Sequence, residues 1–178
     1  GRTPHPATSD RFPAASVFKM VTSAALLEGH HAKPGTKVCY HGGSSRLTMA
    51  NLTDSPRRDR RCRTMSAAFA YSTNSVFGKL AVRHLDGKGL VDMAEAFGFN
   101  RSVQVDGRST RSRARVPGDR LALGRTAAGF TNATLSPLHG AAFAAMIANG
   151  GEWPERIRID GQPGGRAMDA GTARALRA

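Results

Sequence analysis

The sequence predicts a helix-rich α/β chain with few strands. Its 178 residues are enough for one domain with a buried core. Apolar residues concentrate in three runs bounded by helix start and stop signals, at about 16–28, 76–84 and 137–148. Only two short segments, 36–40 and 156–159, have the character of strands. Helices therefore supply most of the predicted core.

The first predicted helix runs from about Ser16 to Glu28, with Gly29 as its C-terminal cap. Apolar residues cover it nearly all round, which predicts burial. Ser16 and Lys19 are three residues apart, so they lie on one face. Burial lowers the pKa of a lysine, and a neutral amine beside a serine hydroxyl can take its proton and make the serine a nucleophile. The alternative is a solvated lysine behind a helix-capping serine.

The strand predicted at 36–40 is followed by a segment rich in Gly, Ser, Asn, Asp and Arg, 41–63, which predicts an irregular loop. Cys39 and Cys62 bracket this loop. In an exported protein they could form a disulfide, whereas in the cytosol they would stay reduced. A zinc site that uses them with His41 is disfavoured, because the spacing is irregular and no C-x-x-C pair is present.

A short alanine-rich helix is predicted at 64–71, and Ser72-Thr73-Asn74 separates it from the helix at 76–84. A serine and an asparagine two residues apart, on a loop between helices, can face the same cleft. The hydroxyl can relay a proton, and the amide can hydrogen-bond a peptide-like substrate. The alternative is an ordinary helix break, since these residue types favour caps and turns.

Four further segments complete the chain. They are a helix at 90–97 stopped by Gly98, a polar and charged connection at 101–120 that we expect to be mobile, a stretch of small residues at 121–134, and a last helix at 168–178. Ser136 and Pro137 form a favourable N-cap and first-turn pair for the helix at 137–148. No run is long and apolar enough for a membrane span.

The chain is strongly basic, with 26 Lys and Arg against 13 Asp and Glu. Such a balance favours anionic partners, among them nucleic acid, anionic lipid and acidic cell-wall polymers. The two arginine-rich stretches, 57–63 and 108–115, lack the interleaved aromatic residues of a base-stacking surface. We therefore interpret them as solvated loops and expect no nucleic-acid partner.

Together these motifs give a specific likeness. The segment 12–22 with Ser16 and Lys19, the segment 64–80 with Ser72 and Asn74, the helix with a Gly-Phe turn at 94–99 and the segment 135–151 stand in the right order. The chain resembles the penicillin-binding proteins, the serine D,D-transpeptidases of the bacterial cell wall. It departs from them at Ala15, where the family often has glycine, and in lacking their K-T-G motif.

The resemblance implies an α/β fold in which helices sandwich an antiparallel sheet. Residues 1–178 would cover the helical part and few strands, as a partial transpeptidase domain cut at both ends. The triplets Gly1-Arg2-Thr3 and Gly124-Arg125-Thr126 are not substitutes for K-T-G. Without the missing sheet, we expect the first helix to expose apolar surface, and the chain alone to be marginally stable and weakly active or inactive.

The resemblance also implies roles for four residues. Ser16 would attack the carbonyl between two D-alanines, Lys19 would act as general base, Ser72 would pass the proton to the leaving group, and Asn74 would hold Lys19 or the substrate amide. The amide of Ser16 would supply half of an oxyanion hole. No metal or organic cofactor is required.

The implied partners are peptidoglycan stem peptides that end in D-Ala-D-Ala and β-lactam antibiotics. The implied location is the periplasm or the outer face of the cytoplasmic membrane, with a membrane-anchored parent. Alternatives stay open: a carboxypeptidase, a β-lactam sensor, a serine β-lactamase, or a non-catalytic basic module that binds cell-wall polymers. Glu95 does not match the glutamate segment of class A β-lactamases.

Overall fold

The computed structural model describes residues 5–178, so the Gly1-Arg2-Thr3 triplet lies outside the described residues. The helices are α1 (Lys19–Glu28), α2 (Met49–Leu52), α3 (Met65–Ala70), α4 (Asn74–His84), α5 (Gly87–Ala96), α6 (Arg120–Ala127), α7 (Pro137–Ala148) and α8 (Ala170–Arg177). The strands are β1 (Lys37–Tyr40), β2 (Arg61–Thr64), β3 (Val103–Val105), β4 (Arg108–Thr110), β5 (Arg113–Ala114), β6 (Ala133–Thr134), β7 (Ile157–Ile159) and β8 (Gln162–Pro163). The predicted helix-rich α/β composition is confirmed.

The strands form three small antiparallel sheets. β1 pairs with β2, β5 pairs with β6, and the third sheet has the order β4-β3-β7-β8. Cys39 and Cys62 lie directly opposite each other in the β1–β2 ladder and form a disulfide. The disulfide therefore closes the segment between the two strands at its base. Of the two alternatives, paired or reduced cysteines, the structure has the paired one.

Two apolar clusters pack on either side of α1 and α4. The larger contains Phe18, Phe97, Phe99, Phe143 and Trp153 and joins α1 to α5 and α7. The smaller joins the two central helices to β1 and α2. Because both helices contribute to both clusters, they form the rigid centre of the described chain, and the predicted site residues lie at their N-terminal ends.

Most predicted helices are confirmed within a few residues at each end. The exceptions have physical causes. α6 was not predicted because Gly124 and Thr126, which have low helix propensity, interrupt its good helix formers, and the Asp119 carboxylate that caps it gives only a weak signal. α1 begins with a 3-10 turn, Ala15–Phe18, rather than with regular α-helix.

Two segments predicted to be irregular contain regular structure. The segment 41–63 contains α2 and most of β2, and the segment 101–120 contains β3, β4 and β5. β2, β4 and β5 are two to four residues long and carry exposed arginines, so no apolar alternation marks them. β3 alternates as Val103-Gln104-Val105 but is only three residues long, which is too short to predict a strand. The arginine-rich stretches are thus largely strand edges and turns with exposed side chains, not the loops we predicted.

The expectation that α1 would expose apolar surface without further sheet is wrong. Val21, Ala24 and Leu26 are fully buried. The chain's own helices α4, α5 and α8 pack around α1 and cover it. Among the described residues, no helix has the length and apolarity that crossing a membrane demands.

Candidate active site

Ser16 lies in the 3-10 turn that leads into α1, and its side chain is exposed. The turn is reached through Ala15, whose φ of 47° is in the left-handed region that favours glycine. This explains physically why glycine suits the position before the serine. Gly129 packs directly under the turn, where a Cβ atom would overlap the Ala15 carbonyl oxygen. The close approach of these two backbones fixes the direction of the Ser16 side chain.

Lys19, one turn further along, is buried, with 1% of its surface exposed. Its Nζ donates to Ser16 Oγ at 2.9 Å, to Ser72 Oγ at 3.2 Å and to the Ala128 carbonyl oxygen at 2.7 Å. Burial lowers the pKa of Lys19 to about 8, because the ammonium form loses its hydration. The predicted burial of Lys19 is therefore confirmed, and burial shifts its pKa in the expected direction.

Ser72 lies between α3 and α4 and, like Ala15, has a left-handed backbone, with φ of 49°. This conformation turns its exposed side chain toward α1, and Ser72 Oγ lies 2.6 Å from Ser16 Oγ. Strained backbone held in place by its surroundings is a frequent property of functional sites. The two hydroxyls and the Lys19 amine form a closed triangle of hydrogen bonds.

Asn74 is the first residue of α4, at the same edge of the site. Its Nδ2 donates to the Ser44 carbonyl oxygen at 2.7 Å. In the described structure Asn74 makes no hydrogen bond to Lys19, so that alternative for its contact is not observed. The side chain is half-buried, which leaves it accessible from the cleft.

Sequence reasoning missed the backbone acceptor that orients the lysine. Ala128 is the C-cap residue of α6, where helix carbonyls lack intrahelical partners and carry partial negative charge. Thr22 Oγ1 donates to the neighbouring Ala127 carbonyl oxygen at 2.8 Å and fixes α1 against this helix end. A backbone carbonyl has no side-chain signature, so only the unpredicted helix α6 would have pointed to it.

The arrangement combines a hydroxyl nucleophile, a base and a second hydroxyl that bridges to both. The amide N–H of Ser16 makes no hydrogen bond to any residue that the structure describes, so it is free to donate to an anion that forms at the turn. Within residues 5–178 no cluster of three or more His, Cys, Asp or Glu side chains could hold a metal ion. This geometry is suited to acyl transfer through a serine ester.

At this site a lysine amine, and not a histidine, contacts the two serine hydroxyls. The chain belongs to the family described as "Penicillin binding protein transpeptidase domain", whose model matches residues 3–177. The peptidoglycan D,D-transpeptidase PbpA of Mycobacterium tuberculosis is 31% identical over 151 residues, which is 82% of this chain and 30% of that protein.

Solved structures agree with this assignment. A crystal structure of PBPA from M. tuberculosis matches with a TM-score of 0.69 and 26% identity, covering 96% of this chain and 43% of that one. Its penicillin G acyl-enzyme complex matches with a TM-score of 0.63 and 26% identity, over 95% of this chain and 43% of that one. The chain therefore spans 30% of the curated relative and less than half of each of these structures.

Proposed function

We propose that this chain carries the nucleophile and the general base of a peptidoglycan D,D-transpeptidase. The observation that carries the proposal is the contact of one buried amine, Lys19 Nζ, with both the Ser16 and the Ser72 hydroxyls. The family membership and the D,D-transpeptidase relatives support the same reaction.

In the first half-reaction, neutral Lys19 accepts the hydroxyl proton of Ser16 while Ser16 Oγ attacks the carbonyl carbon between two D-alanines. The resulting oxyanion accepts a hydrogen bond from the Ser16 amide. Collapse breaks the peptide bond, and the departing amine of D-alanine takes the proton from Lys19 through Ser72. The products are the Ser16 ester and free D-alanine.

In the second half-reaction, the amine of a neighbouring stem peptide attacks the Ser16 ester. Its proton passes through Ser72 to Lys19 and then to Ser16 Oγ, which leaves as the hydroxyl. When Ser16 attacks a β-lactam, the ring opens, but the amine that is set free stays covalently joined to the acyl group. No leaving group departs from the site, so the ester persists. The penicillin G acyl-enzyme of the M. tuberculosis protein supports this proposal.

We further propose that residues 1–178 are one portion of a longer transpeptidase domain that includes a K-T-G strand. The shares of 30% and 43% in the relatives support this proposal. The substrate requires a location in the periplasm or at the outer face of the cytoplasmic membrane, and the Cys39–Cys62 disulfide is compatible with such an oxidising compartment. The natural protein that carries this chain is called the full-length protein below.

The test is covalent labelling of the full-length protein with a fluorescent penicillin, followed by mass spectrometry of the labelled peptide. Ser16→Ala should abolish labelling while the protein stays folded. Ser23→Ala removes a buried serine hydroxyl from α1, one turn beyond Lys19, and is the control that should label like the unaltered protein. Labelling that persists in Ser16→Ala would exclude Ser16 as the nucleophile.

Release of D-alanine with and without an amine acceptor then separates the reaction types. Transfer to the acceptor supports a transpeptidase, and release into water alone indicates a carboxypeptidase. Rapid hydrolysis of the penicillin ester would instead indicate a β-lactamase.

A further inference from the structure

The segment 41–52, called the cap loop below, lies over the N-terminal end of α4. We propose that the cap loop fixes the side chain of Asn74 and is thus a positioning element for acylation. This inference rests on the proposed function, because it assumes that Asn74 contacts the acyl donor. The cap loop itself contains none of the four motif residues, Ser16, Lys19, Ser72 and Asn74.

Three contacts join the cap loop to α4. Asn74 Nδ2 donates to the Ser44 carbonyl oxygen at 2.7 Å, and Ser75 Oγ donates to the Gly42 carbonyl oxygen at 2.5 Å. Between these bonds lies Gly43, where a Cβ atom would be only 2.5 Å from Ser75 Oγ. The loop therefore follows the first turn of α4 so closely that a side chain at Gly43 would displace it.

The loop is itself held by its own side chains and by α6. Asn51 Nδ2 donates to the His41 carbonyl oxygen at 3.1 Å, while Asn51 Oδ1 accepts from the Thr48 amide at 3.0 Å in a capping box. Arg125 donates to the Leu47 carbonyl oxygen through Nε at 3.1 Å and through a terminal nitrogen at 2.9 Å. These bonds define one conformation of the loop and hence one position for the Ser44 carbonyl.

A buried ionic network anchors the start of the loop to α4. Lys79 Nζ donates to Asp59 Oδ2 at 2.6 Å, and the other carboxylate oxygen of Asp59 lies 2.6 Å from His41 Nδ1. Lys79 also donates to the Cys39 carbonyl oxygen at 3.1 Å, next to the disulfide. Lys79, which lies on α4 with Asn74, thus holds His41, the first residue of the cap loop, in place through Asp59.

The hydrogen bond between Asn74 and Ser44 matters because it sets the orientation of the Asn74 amide group. A primary amide has two N–H donors and one carbonyl acceptor, and the donor bond to Ser44 determines which way the group faces. In the described structure the second N–H and the Oδ1 atom of Asn74 make no hydrogen bond, so both are available to the amide groups of a bound peptide or β-lactam side chain. If the loop moves, the amide can turn, and these two groups no longer face the ligand in a fixed arrangement.

The experiment measures the rate of penicillin acylation of the full-length protein, with Gly43→Ala as the main variant. Gly107→Ala is its matched control, because Gly107 has a φ of 76° against 77° at Gly43 and open space around its Cβ position. We expect Gly43→Ala to slow acylation by about 10- to 100-fold, the range that misplacement of a contacting group produces. Gly107→Ala should acylate at the unaltered rate.

A double-mutant cycle distinguishes positioning from general damage. In an Asn74→Ala background, Gly43→Ala should slow acylation by less than about twofold, because the loop then has no side chain to fix. An equal loss in both backgrounds, or an unaltered rate in Gly43→Ala alone, would overturn the inference.

If Gly43→Ala does not fold, Ser75→Ala replaces it in the double-mutant cycle with Asn74→Ala. This change removes the hydrogen bond to the Gly42 carbonyl oxygen without adding atoms. It should slow acylation in the unaltered protein and not in the Asn74→Ala background. Labelling that survives in Ser16→Ala would instead refute the proposed function, so the two failures are separable.

Discussion

Two buried lysines on neighbouring helices have opposite electrostatic surroundings. Lys79 on α4 is fully buried, and its ammonium contacts the carboxylates of Asp54 and Asp59. Lys19 on α1 is equally buried, but its hydrogen-bond partners among the described residues are two hydroxyls and a backbone carbonyl. The ring of Phe77 lies 5.9 Å from Lys19 Nζ, and none of these partners carries a charge. The difference lies in the partners and not in the depth of burial.

The two lysines lie on helices that contact each other, although they are 60 residues apart in the sequence, and the fold compensates the charge of only one of them among the described residues. Burial by itself would raise the pKa of the Asp59 carboxyl, but hydrogen bonds from His41, Lys79 and the Ser55 amide hold it below its usual range. Asp59 is therefore ionised and compensates the Lys79 charge. Within residues 5–178 no carboxylate contacts Lys19, and burial lowers its pKa to about 8, which favours proton exchange near neutral pH.

The largest expected effect is on the acylation rate. Lys19→Met should slow penicillin acylation of the full-length protein by about 100- to 10,000-fold, because the general base is lost. Lys79→Met should have a smaller effect, at most about 100-fold, because it acts only through the cap loop. The rates come from stopped-flow or gel-based labelling. Equal losses in the two variants would remove the distinction between a reactive and a structural lysine.

The second effect is on stability, and it should differ in sign between the two lysines. Lys79→Met leaves the Asp59 carboxylate buried without its cation, which typically costs about 3–5 kcal/mol. In Lys19→Met the burial penalty of the ammonium, about 3 kcal/mol for the shift from 10.5 to about 8, is relieved. The Ala128 carbonyl left unpaired offsets about 1–3 kcal/mol of this gain.

Thermal unfolding of the two variants measures this contrast. Lys79→Met should melt several degrees lower, at about 2–4 °C per kcal/mol for a chain of this size, whereas Lys19→Met should melt at the unaltered temperature or slightly above it. Replacing Asp59 as well, in Lys79→Met/Asp59→Asn, should recover part of the loss because the uncompensated charge is gone. A comparable loss in Lys19→Met would show that its ammonium is stabilised by groups that the described contacts do not reveal.

The helices that hold both lysines were predictable because their residues carry strong local signals. Apolar runs with caps gave α1, α4 and α7 to within a few residues. The strands predicted at 36–40 and 156–159 are confirmed as β1 and β7. The other strands were not predicted, because two- to four-residue pairings such as β5 with β6 depend on partners distant in sequence. The sequence alone did not decide whether the two cysteines are paired or reduced. The β1–β2 register, which places Cys39 opposite Cys62, decided for the disulfide.

The site was predictable where side chains form it and not where the backbone does. The serine and lysine motifs identified Ser16, Lys19, Ser72 and Asn74, and the structure brings the first three together in direct contact. The carbonyls of Ala128 and Ser44 orient Lys19 and Asn74, yet any residue can supply a carbonyl. Their position follows from the path of the chain, which residue types do not encode locally.

The smallest expected effect is the pH dependence of acylation, and it reports on Lys19 alone. With a pKa of about 8, roughly a tenth of Lys19 is neutral at pH 7 and most of it is neutral at pH 9. If the neutral amine is the base, the acylation rate should rise about tenfold over this interval and level off above it. The full-length protein is assayed with a penicillin at a fixed, subsaturating concentration.

The pKa values of His139 and Asp59 are shifted away from that interval. Burial lowers the pKa of His139 to about 4, and Asp59 ionises below its ordinary range. The stability that Asp59 contributes is therefore complete above its unfolded pKa and is lost only as the pH falls well below it. Lys19 acts in the same sense at higher pH, since its lowered pKa means that the unfolded chain binds the extra proton between about pH 8 and 10.5, so stability rises with pH there too.

The pH–rate curve can thus be assigned to one residue by a simple control. The residual acylation of Lys19→Met should show no rise between pH 7 and pH 9, because the titrating base is absent. A rise that survives in this variant would mean that another group accepts the Ser16 proton. A rate that is flat in the unaltered protein would mean that Lys19 is already neutral at pH 7, and that the contrast with Lys79 is larger than burial alone produces.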